Sequence, residues 1–79
     1  MWLKRDEVFL NMDNVRSIEV WPDGSVFKIR LCFGPQDYIE ICDAFRDQDS
    51  AVVWIDTLLR SECEIACWDS SKRVFSYRV

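Results

Sequence analysis

The chain is predicted to be α+β, a small antiparallel meander of about four to six strands with one amphipathic helix packed on one face. Three features predict it. Residues Ser25–Phe33 alternate strictly between apolar and polar side chains over most of their length, a second alternating run follows at Asp37–Cys42, and the period becomes helical after Gln48.

From the start, Trp2-Leu3-Lys4 pairs across Arg5-Asp6-Glu7 with a short strand, Val8-Phe9-Leu10-Asn11, which ends at an Asp13-Asn14 turn. Arg16–Trp21 then sets Ile18 and Val20 on one face. Pro22-Asp23-Gly24-Ser25 is the expected turn, Pro fixing φ and Gly accepting a positive one. In the next strand Phe27, Ile29, Leu31 and Phe33 face inward, and Lys28, Arg30 and Cys32 face outward. Matching the apolar faces pairs Val20 with Phe27 and Ile18 with Ile29. That register sets Glu19 opposite Lys28, an ion pair of a type that contributes about 0.2–1 kcal/mol. After Gly34-Pro35-Gln36, Ile39 and Ile41 lie opposite Leu31 and Ile29 while Glu40 meets Arg30, so the charges form a ladder across three strands.

From Gln48, Ala51, Val52, Ile55, Leu58 and Leu59 form one helical stripe, with Asp49, Asp56 and Arg60 opposite and Val53 and Trp54 off the stripe. Asp47 or Asp49 caps the helix, where a carboxylate accepts free backbone N–H groups. Beyond it, Cys63–Cys67 either prolongs the helix or begins a strand. Arg73–Val79 has the β-branched and aromatic content of a strand, so a short hairpin turning at Asp69-Ser70-Ser71 is expected.

A length of 79 residues implies a single domain, 1–79, which buries only about 60% of its unfolded surface. The 49% apolar and 30% charged composition, with two Gly and two Pro, is that of a folded chain. The longest apolar run, Ala51–Ile55, is far short of the ~20 residues that span a bilayer, so no membrane association is expected. Residues 1–7 lack the charged start and apolar run of a secretory signal, and a cytoplasmic protein with reduced cysteines is expected. A formal charge of −4 with scattered basic residues disfavours direct nucleic-acid binding and favours a partner protein with a basic surface.

The absence of histidine removes Ser-His and Cys-His nucleophiles and the commonest general base, and two glycines are too few for a phosphate loop. The expectation is therefore a non-enzyme without a cofactor. Cys32, Cys42, Cys63 and Cys67 could offer four thiolates to zinc, but their spacing lacks paired knuckles and buried free cysteine is the blander reading. A redox role rests on Cys32 beside Arg30 and Cys42 opposite Lys28. Asp43, Asp47, Asp49 and Asp56 read either as a solvated face or as a negative patch. Four tryptophans are many for so small a core. In the bland reading Trp2 and Trp68 plug the ends of the sheet and Trp21 covers the hairpin; in the functional one, Trp21 and Trp54 are binding anchors. Trp21, Trp54, Tyr38, Asp49 and Asp56 form the candidate partner-binding set.

The stretch Val8-Phe9-Leu10-Asn11-Met12-Asp13-Asn14-Val15-Arg16-Ser17-Ile18-Glu19-Val20, two following strands, and an acidic helix bearing Trp54 and Leu58-Leu59 resemble small uncharacterised bacterial and phage proteins that begin "W-x-x…F-I-N-L-D-N-I-x-x-I". The resemblance implies a short antiparallel sheet packed by one helix and no known activity. The chain after Ser61 departs from that pattern. The resulting expectation is a non-catalytic protein-binding module, a small regulator or phage-type inhibitor of the anti-CRISPR kind. The alternatives are a cysteine-based zinc or redox protein and a homodimer joined through an edge strand.

Overall fold

The computed structural model describes residues 1–78, apart from the side chain of Cys42, so the expectations for the Cys42 thiol and for Val79 lie outside the described residues. The fold is α+β, with one α-helix and seven strands among those residues. The strands are β1 (Trp2–Arg5), β2 (Val8–Asn11), β3 (Ser17–Asp23), β4 (Val26–Gly34), β5 (Asp37–Phe45), β6 (Ile65–Asp69) and β7 (Val74–Arg78); α1 is Gln48–Arg60. They form two sheets rather than the single meander expected. Residues 1–14 and 60–79 make one compact unit and residues 15–59 the other.

The first unit joins the two ends of the chain in a four-stranded sheet of order β2-β1-β6-β7. β1 and β2 are a hairpin around Asp6-Glu7, with Asp6 at φ 54°, as the sequence suggested. The hairpin β6–β7 was also expected, so Cys63–Cys67 does not extend the helix. Its turn, residues 70–73, is held by Asp69, whose Oδ1 accepts the backbone N–H groups of Ser71 and Lys72 at 2.9 and 3.0 Å. The pairing of β1 with β6 is parallel, Leu3 beside Ala66. Alternation does not reveal such a pairing, because it specifies which side chains turn inward and not which strand lies alongside. Leu3, Leu10, Ala66 and Trp68 form the buried side, where Trp68 meets Phe75 with ring centroids 4.8 Å apart.

The second unit contains the antiparallel meander β3-β4-β5 followed by α1. Between β4 and β5 the register is the expected one, with Ile29, Arg30 and Leu31 opposite Ile41, Glu40 and Ile39. Between β3 and β4 it is two residues away from expectation, since Val20 pairs with Ile29, Glu19 with Arg30 and Trp21 with Lys28. The reason is the turn. β3 runs on through Pro22 and Asp23, leaving only Gly24-Ser25 as the loop, and Gly24 takes φ 62°. A two-residue loop with glycine first matches the twist of the paired strands, and an edge strand tolerates a proline that donates no hydrogen bond. A slip of two keeps every side chain on its expected face, so facial patterning could not detect it.

Ile29, Leu31, Ile41 and Phe45 are the buried inner face of this sheet. An irregularity between Ile41 and Phe45 sets residues 42–44 of β5 against Lys28 and still returns Phe45 to the inner side, opposite Phe27. There the Trp54 ring of α1 meets Phe45 edge-on, with centroids 6.4 Å apart. The helix begins at the residue expected and is capped by Asp47, whose Oδ1 accepts the Ser50 N–H at 2.7 Å. Its buried stripe is Ala51, Trp54 and Leu58, while Val52, Val53 and Leu59 are exposed. This corrects the expected stripe. Trp54, at 4% exposure, is core, and the helix is turned so that its largest side chain enters.

Candidate interaction site on the three-stranded sheet

The outer face of β3-β4-β5 follows from the alternation that fills the inner one, since each buried residue of β4 is followed by one facing out. Lys28, Arg30 and Cys32 of β4 stand there between Glu19 and Trp21 of β3 and Tyr38 and Glu40 of β5. Arg30 is at the centre. Its directly opposed neighbours are Glu19 and Glu40, and its diagonal neighbours are Trp21 on one side and Tyr38 on the other. Diagonal cross-strand neighbours are within reach of long and aromatic side chains.

The guanidinium uses both diagonals. It lies over the Trp21 ring at 4.2 Å and over the Tyr38 ring at 4.5 Å, measured to the centroids, so the cation is held between two aromatic faces. Its Nε donates to Glu40 Oε2 at 3.2 Å. The indole Nε1–H of Trp21 donates to Glu19 Oε1 at 2.8 Å, which fixes the second edge of the ring. Lys28 completes the network through ion pairs with Asp23 at 3.0 Å and Glu40 at 3.5 Å. The hydrogen bond and charge of Asp23, with the charge of Glu40, hold the Lys28 ammonium above its usual pKa.

Despite these bonds the rings remain half in water, Trp21 being 43% and Tyr38 48% exposed. They border a groove of about 500 Å³ whose lining includes Arg16, Ser17, Glu19, Arg30 and Pro35. Of the candidate binding residues read from the sequence, Trp21 and Tyr38 are thus brought together, with Arg30 between them. Trp54 is not part of any exposed surface, and Asp49 and Asp56 lie exposed on α1. Arg30 was read from the sequence as a partner for Glu40 and as a cation beside Cys32; its role between the rings, and those of Arg16 and Glu19 at the groove, were missed. The signal that finds them is the diagonal relation of Trp21, Arg30 and Tyr38 once β3 and β4 are aligned through the short Gly24-Ser25 loop.

No family model matches the chain, nor does any curated protein or solved structure. The chemistry of the face therefore has to speak for itself. Cys32 is on it, whereas Cys67 is on β6 of the other unit and Cys63 precedes that strand. Among the described residues no three His, Cys, Asp or Glu side chains are grouped as metal ligands. No helix of the described residues is long and apolar enough to cross a membrane.

Proposed function

We propose that the chain is a non-catalytic protein-binding module, a small regulator or inhibitor that engages a larger partner through the outer face of β3-β4-β5. The observation that carries this reading is the clamped Trp21–Arg30–Tyr38 stack. Tryptophan, tyrosine and arginine are the residue types that dominate binding energy at protein interfaces. They do so most effectively when their rotamers are fixed beforehand, because less side-chain entropy is lost on association. Here Trp21 is fixed by Glu19 and Arg30, and Arg30 by Glu40 and both rings.

The test is affinity capture with three immobilised forms of the chain, wild type, Trp21→Ala and Tyr38→Ala, each first checked for the wild-type circular dichroism spectrum. A protein retained saturably by the wild type and released by both variants is the expected result; an inhibitor also slows that partner's reaction. Retention independent of both rings, or no saturable partner, refutes the reading.

A second reading, a homodimer built by sheet extension, is favoured by one observation. The edge strands of the four-stranded sheet expose Val8 and Phe9 on β2 and Val74 and Tyr77 on β7. Light scattering that finds only monomer at high concentration eliminates it.

A further inference from the structure

Each sheet ends in two border strands, and three of the four carry features that discourage pairing with another chain. β3 holds Pro22 together with Glu19 and Asp23. β5 carries Asp37, Glu40 and Asp43, and irregularities break its register with β4. β2 has only four residues, bounded by Asp6 and Glu7 on one side and Asp13 on the other, and two copies centred on Leu10 oppose Glu7 to Asp13. β7 is different. From Val74 to Tyr77 it contains no charge and no proline, and its register with β6 runs without a break to Arg78.

The side chains of β7 are also arranged to meet their own copies. Phe75 and Tyr77 stand opposite Trp68 and Ala66, on the buried side of the sheet. The three rings form a row, with 4.8 Å between the centroids of Trp68 and Phe75 and 6.1 Å between those of Phe75 and Tyr77. The row ends on the border strand, where Tyr77 is still 47% exposed. A strand that pairs antiparallel with its own copy, about a twofold axis normal to the sheet, keeps the two buried sides together, and its registers differ only in which residue lies on the axis. With Ser76 on the axis, Phe75 of each copy lies opposite Tyr77 of the other. That gives two aromatic cross-strand pairs, and Arg78 meets Val74 rather than a cation. With Phe75 on the axis only one aromatic pair remains and Arg78 is brought to Lys72; with Tyr77 there, again one pair remains.

We propose that β7 pairs antiparallel with β7 of a second copy, centred on Ser76, and so joins the two four-stranded sheets into one. This rests on the sheet-extension reading above and names its edge and its register. It draws on the first unit alone, so the Trp21–Arg30–Tyr38 face keeps the role proposed for it.

The experiment is sedimentation equilibrium of the full chain from micromolar to millimolar concentration, with each variant first checked for the wild-type circular dichroism spectrum. The wild type is expected to dimerise. Tyr77→Ala removes both aromatic pairs and should raise the dimer Kd about tenfold, whereas Tyr77→Phe should leave it within about twofold. Ser76→Lys and Ser76→Glu each set like charges directly across the axis and should raise it about two- to fivefold, while an equimolar mixture of the two, in which opposite charges meet, should recover the dimer. Phe9→Glu, on β2, should leave it unchanged. A dimer indifferent to Tyr77→Ala, weakened by Phe9→Glu, or not recovered in the mixture overturns the proposal. If the dimer forms but depends on β2 instead of β7, the edge is wrong and the sheet-extension reading stands; if the wild type is monomeric at millimolar concentration, both fall.

Discussion

Replacing Arg30 with Met removes the guanidinium from between its rings and leaves an unbranched stem of similar reach. Each cation–π contact at a partly exposed site contributes about 0.5–1 kcal/mol. The ion pair with Glu40, whose partners are 24% and 34% exposed at the side chain, falls among the pairs of about 0.2–1 kcal/mol. Together these give about 1–3 kcal/mol. The Met sulfur recovers part of the ring contact, so a net loss of about 1–2 kcal/mol is expected. For a domain of this size that lowers Tm by roughly 4–8 °C per kcal/mol. The decisive measurement is a double-mutant cycle of Arg30→Met with Trp21→Ala in urea, at low and high salt. A coupling of about 0.5–1 kcal/mol that survives salt identifies the stack, since the surface ion pair is screened. Coupling below about 0.3 kcal/mol, within the additivity expected of independent sites, would show that the guanidinium and the indole are merely adjacent.

Trp54→Ala should cost about 3–5 kcal/mol, a large share of the roughly 4–12 kcal/mol that a 79-residue chain is expected to have, whereas Val53→Ala, at a side chain 61% exposed, should change urea stability by less than about 0.5 kcal/mol. Comparable losses from the two would mean that the helix is turned the other way. The Ser50 N–H bonded to Asp47 lowers that carboxyl's pKa below its ordinary 3.8, so its contribution is present above that value and is lost as pH falls through the folded one. Acid titration of Asp47→Asn should therefore show a shallower loss of stability below about pH 4 than the wild type does. Gly24→Ala meets no atom within 4 Å and is strained only by φ +62°, so thermal melting should register a cost of about 1 kcal/mol; an equally stable variant would indicate that the loop is not the two-residue turn described.

Much of the fold was legible where a single physical signal decided it. Alternation in β4 and β5, together with one burial face, placed Ile29, Leu31, Ile39 and Ile41 in their observed pairs. The change of period found α1 at Gln48, and the capping preference found Asp47. The orientation of the helix was less accessible, because Val52, Val53 and Leu59 are apolar as well, and more than one stripe can be drawn through Gln48–Arg60. The choice falls to volume. Burying Trp54 against Phe45 removes more apolar surface from water than burying a valine would. The parallel neighbours β1 and β6 are separated by most of the chain, and nothing local to either strand encodes the other.

The candidate site was hidden by the register of one hairpin. A six-residue connection between Val20 and Phe27 would place Trp21 opposite Val26, about 13 Å along the strand from Arg30, too far for the ring to meet the guanidinium. Closing the hairpin through Gly24-Ser25 moves Trp21 opposite Lys28 and makes it a diagonal neighbour of Arg30. The inner face is indifferent to this shift, because both registers keep Ile18 and Val20 on the same side of the sheet. Only the outer face distinguishes them. The observed register exchanges a Glu19–Lys28 pairing for one in which Glu19 holds the indole, Lys28 turns to Asp23 and Glu40, and Arg30 fills the space between two rings. The turn glycine thus acts on the surface at a distance, by selecting which outward residues meet. Lengthening that loop by two residues should leave the sheet and its core intact, and where the longer loop lets the register slip and disperses the Trp21–Arg30–Tyr38 stack, the partner capture proposed above should be lost.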